Sequence, residues 1–189
     1  MLTTLEGHYL RSMVLESRRL QRHLEAEGAA RDAMSYFGLV EAAFGAAVAQ
    51  LGRGRFGPDQ LQRFAEDAAA WSRRLYAVTA DEVSRSIRYE FGDQVAVNDI
   101  GGRLELAAKT AVIATNVRRR RLGLNDLDNL IRNAELLAEE WGFDATPYRP
   151  EPLARLGLVL AQARWSVSQL RRGRQDERPA ALPRHSRAR

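Results

Sequence analysis

Apolar side chains recur along most of this chain at intervals of three and four, the spacing that predicts helices and not strands. Residues 2–27 place Leu2, Leu5, Tyr9, Met13, Leu20 and Leu24 on one stripe with charged residues between them. That pattern predicts a single surface helix, capped by Thr3 or Thr4 and closed by Gly28. A second helix, from about Asp32 to Leu51, repeats by sevens: Phe37, Phe44 and Leu51 share one register and Gly38, Gly45 and Gly52 the next. Glycine inside a helix costs roughly 1 kcal/mol against alanine. A glycine stripe therefore predicts close approach by a neighbouring helix, and makes this the expected central helix.

Pro58 and Asp59 open a third helix carrying Leu61, Phe64, Ala68, Trp71, Leu75 and Val78, an alternation suited to antiparallel bundle packing. Thr79 and Glu82 have the spacing of a capping box for a fourth, which Gly92 ends. Residues 93–102 read as loop or irregular helix, because the alternation of Val95 and Val97 would be one strand with no partner. A fifth helix spans about 103–121, with Gly123 as its expected C-cap. A sixth, capped by Asn125, carries Leu127, Leu130, Ile131, Ala134, Leu137, Ala138 and Trp141 before Gly142. The prolines at 147, 150 and 152 prevent a continuous helix there. A last helix is expected over about Leu153 to Arg172, and 173–189, with two prolines and little to bury, read as a disordered basic tail.

The fold class is thus all-α: a compact bundle of about seven helices, one domain over 1–172, and the tail. Sliding the chain by 66 residues aligns Ala42 with Ala108, Arg53 with Arg119, Arg55 with Arg121, Gly57 with Gly123, Leu61 with Leu127 and Ala68 with Ala134. A duplication would make the body two related three-helix halves. Two helical hairpins with glycine exits and Asp/Asn caps give the same alignment without common ancestry, so both explanations stand.

Composition narrows the chemistry. The 189 residues include no cysteine, which removes disulfides, thiolate nucleophiles and sulfur-based zinc sites. No stretch near the start reads as a signal peptide, and the longest apolar run, Ala42 to Ala49, is far short of the ~18 residues a membrane span needs. A cytoplasmic protein is the expectation. Lys109 is the only lysine among 29 basic residues, an arginine bias that reads as GC-rich, bacterial coding. The formal charge is +5. The five arginines of 173–189 against Asp176 and Glu177 supply +3 of it, so the body is nearly balanced.

The strongest charge feature is Arg118-Arg119-Arg120-Arg121 at the end of the fifth helix. Cations there complement the helix dipole, worth ~0.3–1 kcal/mol each, but four in succession repel one another and exceed that need. Guanidinium forks match phosphate oxygens in pairs. The expected nucleic-acid-binding residues are therefore Arg118, Arg119, Arg120 and Arg121, with Arg53 and Arg55 in the matching earlier connection, and Arg171 and Arg172 before the tail. Aromatic residues such as Phe37, Phe44, Phe64 and Trp71 fall on apolar stripes, where core packing is expected and not base stacking.

No catalytic, metal or cofactor constellation is read from the sequence. The histidines are His8, His23 and His185, none three residues after a glutamate, and Gly52, Gly54 and Gly57 precede no Lys-Ser/Thr. Glu135, Glu139 and Glu140 read as a solvated face. One short motif, Arg18-Arg-Leu-Gln-Arg-His23, is similar to the Arg-x4-6-His signature of HEPN ribonucleases, small helical bundles; that resemblance implies RNA cleavage with Arg18 and His23 at its centre. The functional expectation is a non-catalytic helical accessory protein binding DNA or RNA through its basic edge. The alternative is a protein–protein adaptor or homo-oligomeric subunit, its glycine-alanine helix face packing on another chain.

Overall fold

The computed structural model describes residues 2–29, 33–52, 56–72, 77–93, 96, 100–150, 159, 160, 163 and 167. Seven α-helices lie among them: α1 (Leu5–Val14), α2 (Arg18–Glu27), α3 (Ala33–Gly52), α4 (Pro58–Ser72), α5 (Ala80–Glu90), α6 (Gly102–Arg119) and α7 (Leu124–Glu140). The all-α bundle holds, but its helices are counted differently from the expectation. The stripe over 2–27 is two helices, not one. Every residue of α1 is buried, whereas α2 exposes Arg18, Arg19 and Arg22. The chain turns at Glu16, whose φ is +55°. Of the expected last helix only Val159, Leu160, Ala163 and Val167 are described, and they are helical; the remainder and the tail lie outside the described residues. Leu75, Val95 and Val97 do so as well.

Most caps follow the sequence pattern. Thr79 and Glu82 form the reciprocal box, with Thr79 N–H donating to Glu82 Oε2 at 2.7 Å and Glu82 N–H to Thr79 Oγ1 at 3.2 Å. Gly28, Gly92 and Gly142 take the left-handed conformation that side chains disfavour. The α6–α7 junction differs. Arg121, not Gly123, adopts the left-handed φ of +52° after α6, and Gly123, not Asn125, is the N-cap of α7. Asp126 Oδ2 accepts from the Gly123 N–H at 3.0 Å, which leaves Asn125 inside the helix.

The core has two parts. The larger joins Leu10 and Val14 of α1 with Val40, Phe44 and Val48 of α3, Phe64 and Ala68 of α4, Ile87 of α5, Val112 and Ile113 of α6, and Leu127 and Ile131 of α7. The smaller seals α1 against α2 through Leu5, Tyr9, Met13, Leu20 and Leu24. α3 shares its central place with α6, which packs on α1, α3, α4 and α5 and has every residue from Ala107 to Val117 buried. Alanines and threonines on all its faces let four helices approach at once. Among the described helices α3 is long and apolar enough to cross a membrane, yet Leu39, Val40, Ala43, Phe44 and Ala47 are core residues.

The glycine stripe of α3 is covered by side chains and not by a helix backbone. A Cβ on Gly38 would overlap the Phe143 ring, one on Gly45 would meet Glu90 Oε1 at 3.1 Å, and one on Gly52 would meet Phe91 Cε1 at 3.0 Å. The stripe is therefore a seat for residues at the C-terminal ends of α5 and α7.

Helix direction decides which connections share an end of the bundle. Lys109 meets Glu41, and Asn116 donates to Gln50 at 3.1 Å, so contacts advance together along α3 and α6 and the pair runs parallel. Gln50 and Asn116 are 66 positions apart, the offset of the internal similarity. α3 also packs on α7 as α6 packs on α4, the reciprocal arrangement that two related hairpins would adopt about a common axis.

Candidate nucleic-acid interface

Because α3 and α6 are parallel, their C-terminal ends lie together, and Gln50 near the end of α3 accepts from both Asn116 and Arg120. α3 ends here at Gly52, and the connection that follows α6 leaves from the same end. α4 and α7 begin there too, and the α1–α2 turn reaches it through Glu16, which pairs with Arg118.

The four arginines divide by role. Arg118 has a side chain only 16% exposed; its guanidinium pairs with Glu16 and lies over Trp71, 5.0 Å from the ring centroid. Arg119 donates from Nε to Asp67 at 3.1 Å and from Nη2 to the Arg63 carbonyl at 3.3 Å, and sits 5.0 Å from the Phe64 centroid. Arg120 reaches Gln50 at 2.5 Å. Arg120 and Arg121 are exposed. The run thus ties the α1–α2 turn, α4 and α3 to the end of α6 through Arg118, Arg119 and Arg120 in turn, with Arg119 exposed like the last two. Ion pairs at this exposure contribute ~0.2–1 kcal/mol each. Arg53, Arg55, Arg171 and Arg172 lie outside the described residues.

Glu16 and Arg121 are the non-glycine residues with positive φ among the described ones. Each such conformation costs roughly 1–2 kcal/mol for a side chain with a Cβ, and both fall at this end, each carrying a charge. Arg18 and His23 of the HEPN-like motif are placed on α2, five residues apart and so roughly 140° around the helix. Arg18 is exposed, while His23 is half-buried with Nε2 lacking a hydrogen-bond partner. They do not share a face of α2.

Two buried polar clusters were not read from the sequence. The first surrounds Lys109, 1% exposed. Its ammonium pairs with Glu41 and with Glu105, the latter at 2.6 Å, and lies 5.6 and 5.5 Å from the centroids of Phe37 and Phe44. Burial raises the Glu41 carboxyl above its usual range against the opposing pull of Lys109. The available signal was compositional: one lysine in a chain of arginines, at the centre of an apolar helix.

The second cluster anchors the N-terminal segment. Glu135 is 4% exposed, a correction to the solvated face expected for it; Glu139 and Glu140 are exposed as anticipated. Glu135 accepts from Thr4 Oγ1 at 2.6 Å, Thr4 N–H at 3.2 Å and Arg132 at 3.2 Å. Thr4 bridges Pro147 in antiparallel fashion, with Leu5 N–H to the Thr146 carbonyl and Tyr148 N–H to the Thr3 carbonyl, both 2.9 Å. Thr146 N–H donates in turn to the buried Glu6.

Beneath this clasp His8 is buried, edge-on to Tyr148 at 5.4 Å. Burial foremost, then the Arg11 guanidinium, lowers its pKa, opposed by Glu135 and Asp128. Arg11 itself pairs with Asp128 at 2.6 Å. An imidazole kept neutral by the fold takes its proton more readily in the unfolded chain, which titrates near ~6.5. The unfolded state then binds more protons below that pH, and stability falls as the solution is acidified from there, by at most about 1.4 kcal/mol per pH unit for one proton. Urea denaturation across this range should show a shallower acid limb in His8→Phe than in the native protein. An unchanged limb would assign the acid sensitivity to other groups.

Among the described residues no group of three or more histidine, aspartate or glutamate side chains is arranged to hold a metal. The chain matches no protein-family model, no curated protein and no solved structure.

Proposed function

We propose that this chain is a non-catalytic helical accessory protein of the cytoplasm that binds nucleic acid through the arginine-bearing end of its bundle. The observation that carries the reading is the parallel pairing of α3 and α6, seen in the contacts of Gln50 with Asn116 and Arg120. It brings the C-terminal end of α3, which precedes the arginines at 53 and 55 in the chain, to the same end of the bundle as Arg118 to Arg121 at the end of α6. Helix starts at α2, α4 and α7 add their positive dipole ends to the same region. Arg120 and Arg121, exposed, are the residues for phosphate contact; Arg118 and Arg119 position the end of α6. Backbone-directed binding of this kind is salt-sensitive and indifferent to sequence.

The test is Arg120→Glu combined with Arg121→Glu, assayed by the anisotropy of a short labelled DNA duplex at low salt. Binding should weaken at least about tenfold and its salt dependence should flatten. Native protein that does not bind, or a variant that binds undiminished, overturns the reading.

A second reading, a protein–protein adaptor or oligomeric subunit, is favoured by the opposite end. There Ser35 Oγ donates to the Asp144 carbonyl and Phe143 fills the Gly38 seat, and nearby Met34 and Trp141 are 62% and 52% exposed. Light scattering decides whether this chain is its own partner.

A further inference from the structure

We propose that the arginine end is autoinhibited: Glu16 and Asp67 stand where phosphates of a bound polyanion would, and hold Arg118 and Arg119 back from it. This rests on the nucleic-acid reading above and concerns the regulation of that site. The geometry distinguishes these two carboxylates from their neighbours. Glu16 meets Arg118 from the α1–α2 turn, and Asp67 meets Arg119 from α4. The pairs therefore bridge separate elements, unlike the pairs within one helix such as Arg85 with Asp81. Glu16 does so from a left-handed backbone position, where glycine or asparagine would be at ease. Glutamate there sacrifices backbone comfort and delivers a carboxylate to an arginine.

Both guanidiniums are also stacked on rings, Arg118 on Trp71 and Arg119 on Phe64. Those faces hold the arginines at the end of α6 whether or not the carboxylates remain. The in-plane N–H groups, now directed at Glu16 and Asp67, are the ones a phosphate would use. A polyanion that engages all four arginines must displace both carboxylates, and doing so breaks the Glu16–Arg118 pair between the α1–α2 turn and the end of α6, while α1 stays packed on α6 through the core.

Removing the competing carboxylates should strengthen binding beyond the general effect of removing negative charge. The Glu16→Gln/Asp67→Asn variant is compared with Asp59→Asn/Glu66→Gln, which takes the same charge from α4 at positions where neither residue pairs with an arginine among the described residues. Glu66 accepts instead from Gln62. With the short labelled duplex, the first variant should bind about tenfold tighter than the native protein, and the control by no more than about twofold. Single substitutions at Glu16 and at Asp67 read the two locks separately, and circular dichroism verifies that each variant is folded. Equal affinities for the two double variants overturn the autoinhibition while leaving an Arg120- and Arg121-dependent interaction intact. Absence of binding by the native protein and by every variant overturns both.

Discussion

Replacing Lys109 with methionine is expected to lower stability by roughly 3 kcal/mol, the low end of what breaking a buried ion pair costs. The methionine stem fits the space between Phe37 and Phe44, so lost packing is small. The effect comes from what is left behind. Glu41 and Glu105 would face each other without a cation, and Glu90, which already raises the Glu41 pKa through its charge, lies close enough to add to the repulsion. Both carboxylates keep about a fifth of their surface in water, 20% and 19%, which places the figure at the low end of the range. In urea denaturation the midpoint should fall with little change in slope. Adding Glu41→Gln and Glu105→Gln to Lys109→Met should restore most of the loss, because no uncompensated charge then remains. A single variant that loses less than about 1 kcal/mol would mean that the two carboxylates accept water or protons easily, and that the triad is a surface feature.

Phe64→Ala should cost more, about 3–5 kcal/mol. Phe64 is fully buried, lies edge-on to Phe56 at 5.7 Å and forms the floor beneath Arg119. Truncation leaves a cavity between α4 and α6, the two helices that this ring joins at the arginine end. Phe64→Leu, which keeps much of the volume, should lose less than about half as much. Thermal or urea unfolding separates the two. Similar losses for both would show that the aromatic shape and its contact with Arg119 matter more than filled volume.

Much of the fold was readable because helix signals are local. The capping box at Thr79 and the glycine exits at Gly28, Gly92 and Gly142 depend on residues within one turn of each other. So does the stripe on α7. The failures were failures of context. The stripe from Leu2 to Leu24 is continuous in register, and nothing local marks the turn at Glu16 that folds α2 back so that Leu20 and Leu24 pack on Leu5, Tyr9 and Met13. Gly123 resembled a C-cap because arginine seldom takes the left-handed conformation, yet Arg121 does. Glu135 looked solvated beside Glu139 and Glu140; its partners, Thr3 and Thr4, are more than 130 residues away in the chain.

The candidate site was legible in composition and not in geometry. Four consecutive arginines were evident, and the 66-residue offset linked them to Arg53 and Arg55. The clamps they form depend on Glu16, Asp67 and Gln50, which lie on three other elements. Lys109 was visible only as an oddity of composition, since a lysine on α6 says nothing of a glutamate on α3 until the two helices are known to run parallel.

That parallel pairing also bears on how the chain reaches its native state. In a bundle of up-and-down neighbours each helix can dock on the one before it by closing a short loop. Here about 50 residues, including all of α4 and α5, separate Gly52 from Gly102, and they must be gathered before the central pair can meet. Closing so long a loop carries an entropic cost that grows with the logarithm of its length. Distant contacts of this kind slow folding relative to bundles of similar helix content. The Lys109–Glu41 pair, 68 positions apart, closes only once α3 and α6 have met, so it rewards their docking and contributes little to the start of folding.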